Sequence, residues 1–301
     1  MEMAKACGKT ILFGEHFVVY GIPAIAGSVS DQTTVSARKA KGTRIKVEAA
    51  DKRHNPEFLE KMAAVLANKL GINEGVELEV STELQIGSGM GSSAAFCVAA
   101  TRALAQIVGK NLGNDDVCRI AYEGEKIAHG TPSGIDNTVA TYGGLVWFKK
   151  NLEGGANQIE RLKARKPLEV VIGTCPRKGT TKELVEAVRT RKEKNPEKFA
   201  RIFEDAGKLV DEAREALLKG EEKKIGALLN QNHELLKEIG VSTRELDAMC
   251  SAALKAGALG AKLTGAGGGG SVIALCPGKQ AEVAKAIEKL GWPTLKVRIG
   301  E

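Results

Sequence analysis

The sequence is poor in aromatics, with seven Phe, three Tyr and two Trp among 301 residues. Stacking on bases needs aromatic faces interleaved with basic side chains. That interleaving is missing, so no nucleic-acid partner is expected. The chain has no apolar stretch of about 18 residues, so no membrane-spanning helix is expected either. An apolar leader core after Met1 is also lacking, which argues against a secretory signal. The six cysteines (7, 97, 118, 175, 250 and 276) form no C-x-x-C pair. Their spacing argues against a zinc site, and the Ala-rich settings of Cys97 and Cys250 point to buried thiols in a reducing compartment. The expected location is cytoplasmic.

What is present is ordinary for a soluble globular chain. Apolar residues make up 43% and charged residues 27%, and the length can bury one large or two modest cores. The formal net charge of +7 lies largely in mixed-charge stretches such as 189–198 and 219–224, which read as solvated helix faces. An anionic small-molecule substrate is compatible with that balance.

The most informative stretch is 84–98, where Gly87, Gly89 and Gly91 run into Ser92, Ser93 and an Ala-rich segment. A glycine loop feeding a helix N-terminus offers convergent N–H groups and the positive end of a helix dipole, as a phosphate requires. The same pattern also serves as a plain turn before a buried helix. The dinucleotide fingerprint fails, because position 92 is Ser. Gly8-Lys9-Thr10 resembles the end of a Walker A loop, but the first glycine would have to be residue 3, which is Met3. Residues 265–270 match G-x-G-x-x-G formally, yet they lead into the strand-like run Ser271–Cys276 rather than a helix.

Turn residues punctuate the first 48 positions into expected strands at 11–13, 17–20, 24–29, 33–37 and 44–47. Helices are expected over 56–70, after the glycine loop, and over 115–129 with Asn114 as cap. A short helix or turn precedes Gly143-Gly144, and a strand follows at 145–148. Residues 150–166 show no period, placing a domain boundary near 160. Beyond it lie a strand at 168–173, helices at 180–193, 197–219, 221–239, 242–257 and 278–290, and strands at 261–263, 271–276 and 294–299. Strands and helices without a regular βαβ repeat favour an α+β fold.

Three segments, Lys9–Ala24, the glycine loop and Lys262–Gly270, resemble in order and separation the three motifs of the GHMP small-molecule kinases. Gly14-Glu15-His16 with Gly21-Ile22-Pro23-Ala24, and His129–Asn137 with its Pro132-Ser133-Gly134 and Asp136, are most similar to the mevalonate kinases within that family. The helical region 180–257 carries no diagnostic motif. The resemblance implies a two-domain architecture. Residues 1–160 would be an ATP-binding N-terminal domain like ribosomal protein S5 domain 2, and 161–301 a ferredoxin-like C-terminal domain, with the active site in a cleft between them. It also implies ATP and Mg²⁺ as cofactors, mevalonate as acceptor and a homodimer.

Carried onto this chain, the family pattern assigns roles by position. Ile86, Gly87, Ser88, Gly89, Met90, Gly91, Ser92, Ser93, Ala94 and Ala95 would hold the phosphates. Ser93, with Ser92 as the alternative, and Glu125 would ligate Mg²⁺, a cation that takes hard oxygen ligands and few carboxylates. Asp136 would accept or orient the proton of the acceptor hydroxyl; an Asp in this setting otherwise forms a turn or cap. Lys9 would offset charge on the transferred phosphoryl group. Glu15 and His16 would line the acceptor pocket, and Gly265, Ala266 and Gly267 would approach the substrate closely. His54 and His233 read as structural.

Overall fold

A computed structural model of the protein describes residues 1–41, 55–84, 90–130, 132–155 and 157–300, and the backbone alone of 45–49. Ile86, Gly87, Ser88 and Gly89 of the expected phosphate loop lie outside the described residues, as do Gly42, Arg44 and His54. The chain divides into two compact units. The first holds Met1–Lys9 and Ser28–Gly143; the second holds Thr10–Gly27 and Gly144–Glu301. The division therefore crosses the chain at Lys9/Thr10, Gly27/Ser28 and Gly143/Gly144, whereas composition places a boundary near 160.

Two long strands, β1 (Glu2–Phe13) and β2 (Ala24–Ala40), contribute residues to both units. In the first unit they are followed by β3 (Ile45–Ala49), α1 (Pro56–Lys69), β4 (Gly75–Thr82), α2 (Ser92–Ile107), α3 (Asn114–His129) and α4 (Ile135–Tyr142). β4 pairs antiparallel with β2, Thr33 opposite Thr82, and parallel with β3. Asn55 caps α1 by accepting from the Phe58 N–H, and Pro56 takes the first turn, where its missing N–H costs nothing. α2 is buried along most of its length because α1, α3 and α4 all pack against it. Small Ala side chains permit that approach.

The second unit continues with β5 (Leu145–Lys149), β6 (Gln158–Leu162) and β7 (Leu168–Cys175). Next come α5 (Thr181–Lys194), α6 (Pro196–Lys219), α7 (Glu222–Glu238) and α8 (Arg244–Lys255), then β8 (Gly260–Thr264), β9 (Gly270–Leu275), α9 (Gln280–Glu288) and β10 (Thr294–Ile299). Four strands run in the order β10-β7-β9-β8, every neighbour antiparallel. Counted along the chain, that order is fourth, first, third, second. It is the split βαβ arrangement, with α5–α7 inserted before the first crossover helix α8. The α+β class and the expected helices at 180–257 hold, and a capping box of Thr180 and Glu183 starts α5.

Four local expectations are corrected. Phe17–Tyr20 is a 3₁₀ turn, not a strand. Residues three apart share one side of a helical turn but opposite faces of a strand. Here Phe17 and Tyr20 both meet the Phe203 ring, at centroid distances of 5.6 and 4.8 Å. Residues 24–29 and 33–37 are one strand, because Ala24–Gly27 pairs with β5 and Thr33–Ala40 with β4, leaving no room for a turn. Asn114 does not cap α3; its Oδ1 accepts from Arg102 Nη2 at 3.2 Å. The aperiodic stretch 150–166 contains β6, whose first four residues are exposed and so show no apolar alternation.

Candidate active site

The first unit gathers Lys9, Ser93, Glu125 and Asp136 from four separate elements. Lys9 lies near the middle of β1, buried to 7% exposure. Its backbone N–H donates to Met90 O at 2.9 Å. Gly91 makes the approach possible: its φ is +69°, and a Cβ there would stand 2.9 Å from Lys9 Cγ. Gly91 then precedes α2, whose first turn carries Ser92 and Ser93 with no side-chain cap on its N–H groups from the described residues. Such an N-terminus is a ready anion site. Ala94 and Ala95 are buried in the same turn.

Lys9 Nζ stands 3.3 Å from Asp136 Oδ1. Asp136 sits in the first turn of α4, which starts at Gly134 with φ +91°. Glu125 projects from α3 and is only 1% exposed. Neither of its carboxylate oxygens has a hydrogen-bond partner among the described residues. Burial first, and the nearby Asp136 charge second, push its pKa up to about 7, while Ser93 and Lys9 pull the other way. His129, one helical turn on, reaches both groups with the same atom. Its Nε2 is 3.4 Å from Ser93 Oγ and 3.7 Å from Glu125 Oε2. His129 lies within the motif His129–Asn137, whose resemblance assigns it no role.

That raised pKa has a consequence for stability. The folded state holds the Glu125 proton up to about pH 7, whereas the unfolded chain releases it near 4.5. The unfolded state therefore binds fewer protons in this window, and stability falls as pH rises from about 4.5 to 7. Thermal melts in metal-free buffer are expected to show Glu125→Gln losing less stability over that window than the native chain. Parallel pH curves for the two proteins would sink the assignment.

The second unit holds a different cluster. Glu15 pairs with Lys262 of β8, the lysine being 0% exposed. His16 has φ +62°, the sole positive φ outside glycine among the described residues. Its Nε2 lies 2.8 Å from Ala266 O. A carbonyl only accepts, so the ring proton sits on Nε2 and Nδ1 is left as a buried acceptor without a hydrogen-bond partner among the described residues. Burial lowers the His16 pKa, so the ring is neutral at pH 7. Gly265 and Gly267 flank Ala266 in the turn between β8 and β9. At Gly267, φ +73°, a Cβ would stand 2.2 Å from Val241 O, and the next N–H, that of Gly268, donates to the same carbonyl at 2.8 Å. Only glycine fits there. His233 is structural as expected: it accepts from the Leu263 N–H through Nδ1 and donates to Asp247 through Nε2. Lys262 opens the motif Lys262–Gly270, but nothing in its sequence setting marks it as buried.

The family model for the GHMP kinases N terminal domain matches residues 57–144, and that for the GHMP kinases C terminal domain matches 213–291. The chain belongs to the GHMP kinase family. It is 39% identical to the mevalonate kinase of Pyrococcus horikoshii, over 99% of this chain and 95% of that protein. It is 40% identical to the mevalonate kinase of Pyrococcus abyssi, over 100% and 96%. Among solved structures, L. major mevalonate kinase in complex with R-mevalonate superposes with a TM-score of 0.90 at 32% identity, covering 99% of this chain and 96% of that one. The chain is accordingly a small-molecule kinase that uses ATP. No helix among the described residues is long and apolar enough to cross a membrane, and all six cysteines are free.

Proposed function

We propose that this kinase phosphorylates the primary hydroxyl of mevalonate, forming 5-phosphomevalonate on the route to isoprenoids. The relatives support the acceptor, and the observation that carries the chemistry is the Lys9–Asp136 pair in the same cluster as the buried Glu125 carboxylate. Asp136 orients the acceptor hydroxyl and takes its proton. Lys9, 3.3 Å away, keeps that carboxylate in place and offsets charge on the phosphoryl group in flight. The residues 86–95 cradle the phosphates, with the uncapped N-terminus of α2 supplying N–H donors. Glu15, His16, Gly265, Ala266 and Gly267 form the acceptor side, the free Nδ1 of neutral His16 being suited to accept from a hydroxyl.

The donor set fits Mg²⁺. Glu125 offers a carboxylate with no hydrogen-bond partner among the described residues and with His129 Nε2 at 3.7 Å, which burial makes costly unless a cation joins it, and Ser93 offers a hard hydroxyl oxygen. When bound, the cation neutralises phosphate charge. Glu125→Gln is expected to raise the Mg²⁺ concentration for half-maximal activity by about tenfold or more; an unchanged metal titration would point to other ligands.

Residues 1–160 as the ATP-binding domain, 161–301 as the C-terminal domain, a cytoplasmic location and a homodimer belong to the same proposal. No nucleic acid or membrane enters it. The decisive experiment is ADP release with a panel of acceptors. Mevalonate is expected to exceed homoserine, galactose and phosphomevalonate in kcat/KM by at least about a hundredfold, since a site built to bond specific hydroxyls rejects mismatched ones strongly. A comparable or faster rate with any sibling acceptor would overturn the assignment.

A further inference from the structure

We infer that Asn137, backed by Tyr122, is a positioning residue that sets where the Asp136 carboxylate stands. The inference rests on the proposed role of Asp136. α4 has eight residues and begins at a glycine that makes no side-chain cap. A helix so short has little stability of its own, so tertiary bonds must place its first turn. Several come from α3, and two bear on the segment around Asp136. Asn137 Nδ2 donates to Cys118 O at 3.1 Å and reaches Cys118 Sγ at 3.2 Å. Tyr122 Oη donates to Pro132 O at 3.0 Å, in the segment that leads into α4. α3 also carries Glu125, so one helix holds the first carboxylate and fixes the turn that bears the second.

Packing alone does not account for the asparagine. Asn137 is 3% exposed, and its Oδ1 is buried with no hydrogen-bond partner among the described residues. An amide buried with one end unsatisfied lowers stability, whereas an apolar side chain of similar volume carries no such penalty. What the amide supplies is direction. Its Nδ2 lies within hydrogen-bond distance of both Cys118 O and Cys118 Sγ, which ties the residue next to Asp136 to a rigid helix. A misplacement of about 1 Å in a reacting group can lower turnover about a hundredfold.

The test uses the full chain and compares native protein, Asn137→Leu, Tyr122→Phe and Asp136→Ala. Leucine matches asparagine in size but has no amide. For Asn137→Leu, kcat for ADP release is expected to fall about ten- to a hundredfold while both KM values stay within about threefold. Its Tm should hold or rise. A purely structural residue would instead lose Tm along with kcat. If Asn137→Leu does not fold, Tyr122→Phe, which loses one hydroxyl, is judged by the same split. A native kcat in the folded variant, or a loss of kcat that tracks a loss of Tm, overturns the inference. Turnover that survives in Asp136→Ala would instead signal failure of the underlying reading.

Discussion

Asp136→Ala is expected to lower kcat by roughly 10²–10⁴-fold while nucleotide affinity stays near native. The expectation follows from where the side chain stands. Asp136 is 3.3 Å from Lys9 Nζ and partly open, with a side-chain exposure of 29%. In the proposed function the nucleotide is held elsewhere, by the turn at Met90 and Gly91 and the start of α2. Removing the carboxylate therefore takes away proton handling and hydroxyl alignment but leaves the phosphate donors intact. Single-turnover phosphoryl transfer alongside equilibrium nucleotide binding separates the two effects. Near-native turnover would remove Asp136 from the mechanism. Loss of nucleotide binding in step with turnover would recast it as part of the phosphate cradle.

The second large effect concerns stability. Lys262→Met is expected to destabilise the fold by about 3–5 kcal/mol, because it leaves the buried Glu15 without its cation. Lys262 is 0% exposed and Glu15 1%, so water cannot stand in for the missing charge. Burial drives the lysine pKa down, and Glu15 works against that shift. Each charge is tolerable only beside the other. Against a typical total of about 5–15 kcal/mol, the loss is expected to shift denaturant midpoints strongly. The double variant Lys262→Met/Glu15→Gln should recover much of it, since no unpaired ion then remains. A single variant within about 1 kcal/mol of native, or a double variant no better than the single, would show that the pair is not what holds this turn. The pair joins residues 247 apart in sequence, and it anchors the turn that presents His16.

Much of the organisation was legible beforehand. α1, α6 and α7 follow from apolar spacing with Pro at the first turn or Gly at the end. The grouping of Lys9, Ser93, Glu125 and Asp136 was legible as well, through motifs whose order and spacing resemble one family. Other features were not. The Phe17–Tyr20 turn reads as a strand because its four residues are apolar or aromatic, and only Phe203, far along the chain, decides otherwise. β6 escaped because an exposed strand has no alternating pattern to detect.

By itself, then, the sequence determined the element types with strong periodicity, the order of the motifs and, with them, the kinase family. These are properties of local spacing and residue identity. The tertiary structure decided the states of the groups. It pushed the Glu125 pKa up to about 7, joined Glu15 to Lys262, turned a neutral His16 onto Ala266 and tied Asn137 to α3. Each depends on desolvation and on partners brought from distant parts of the chain, which no local window of residues contains.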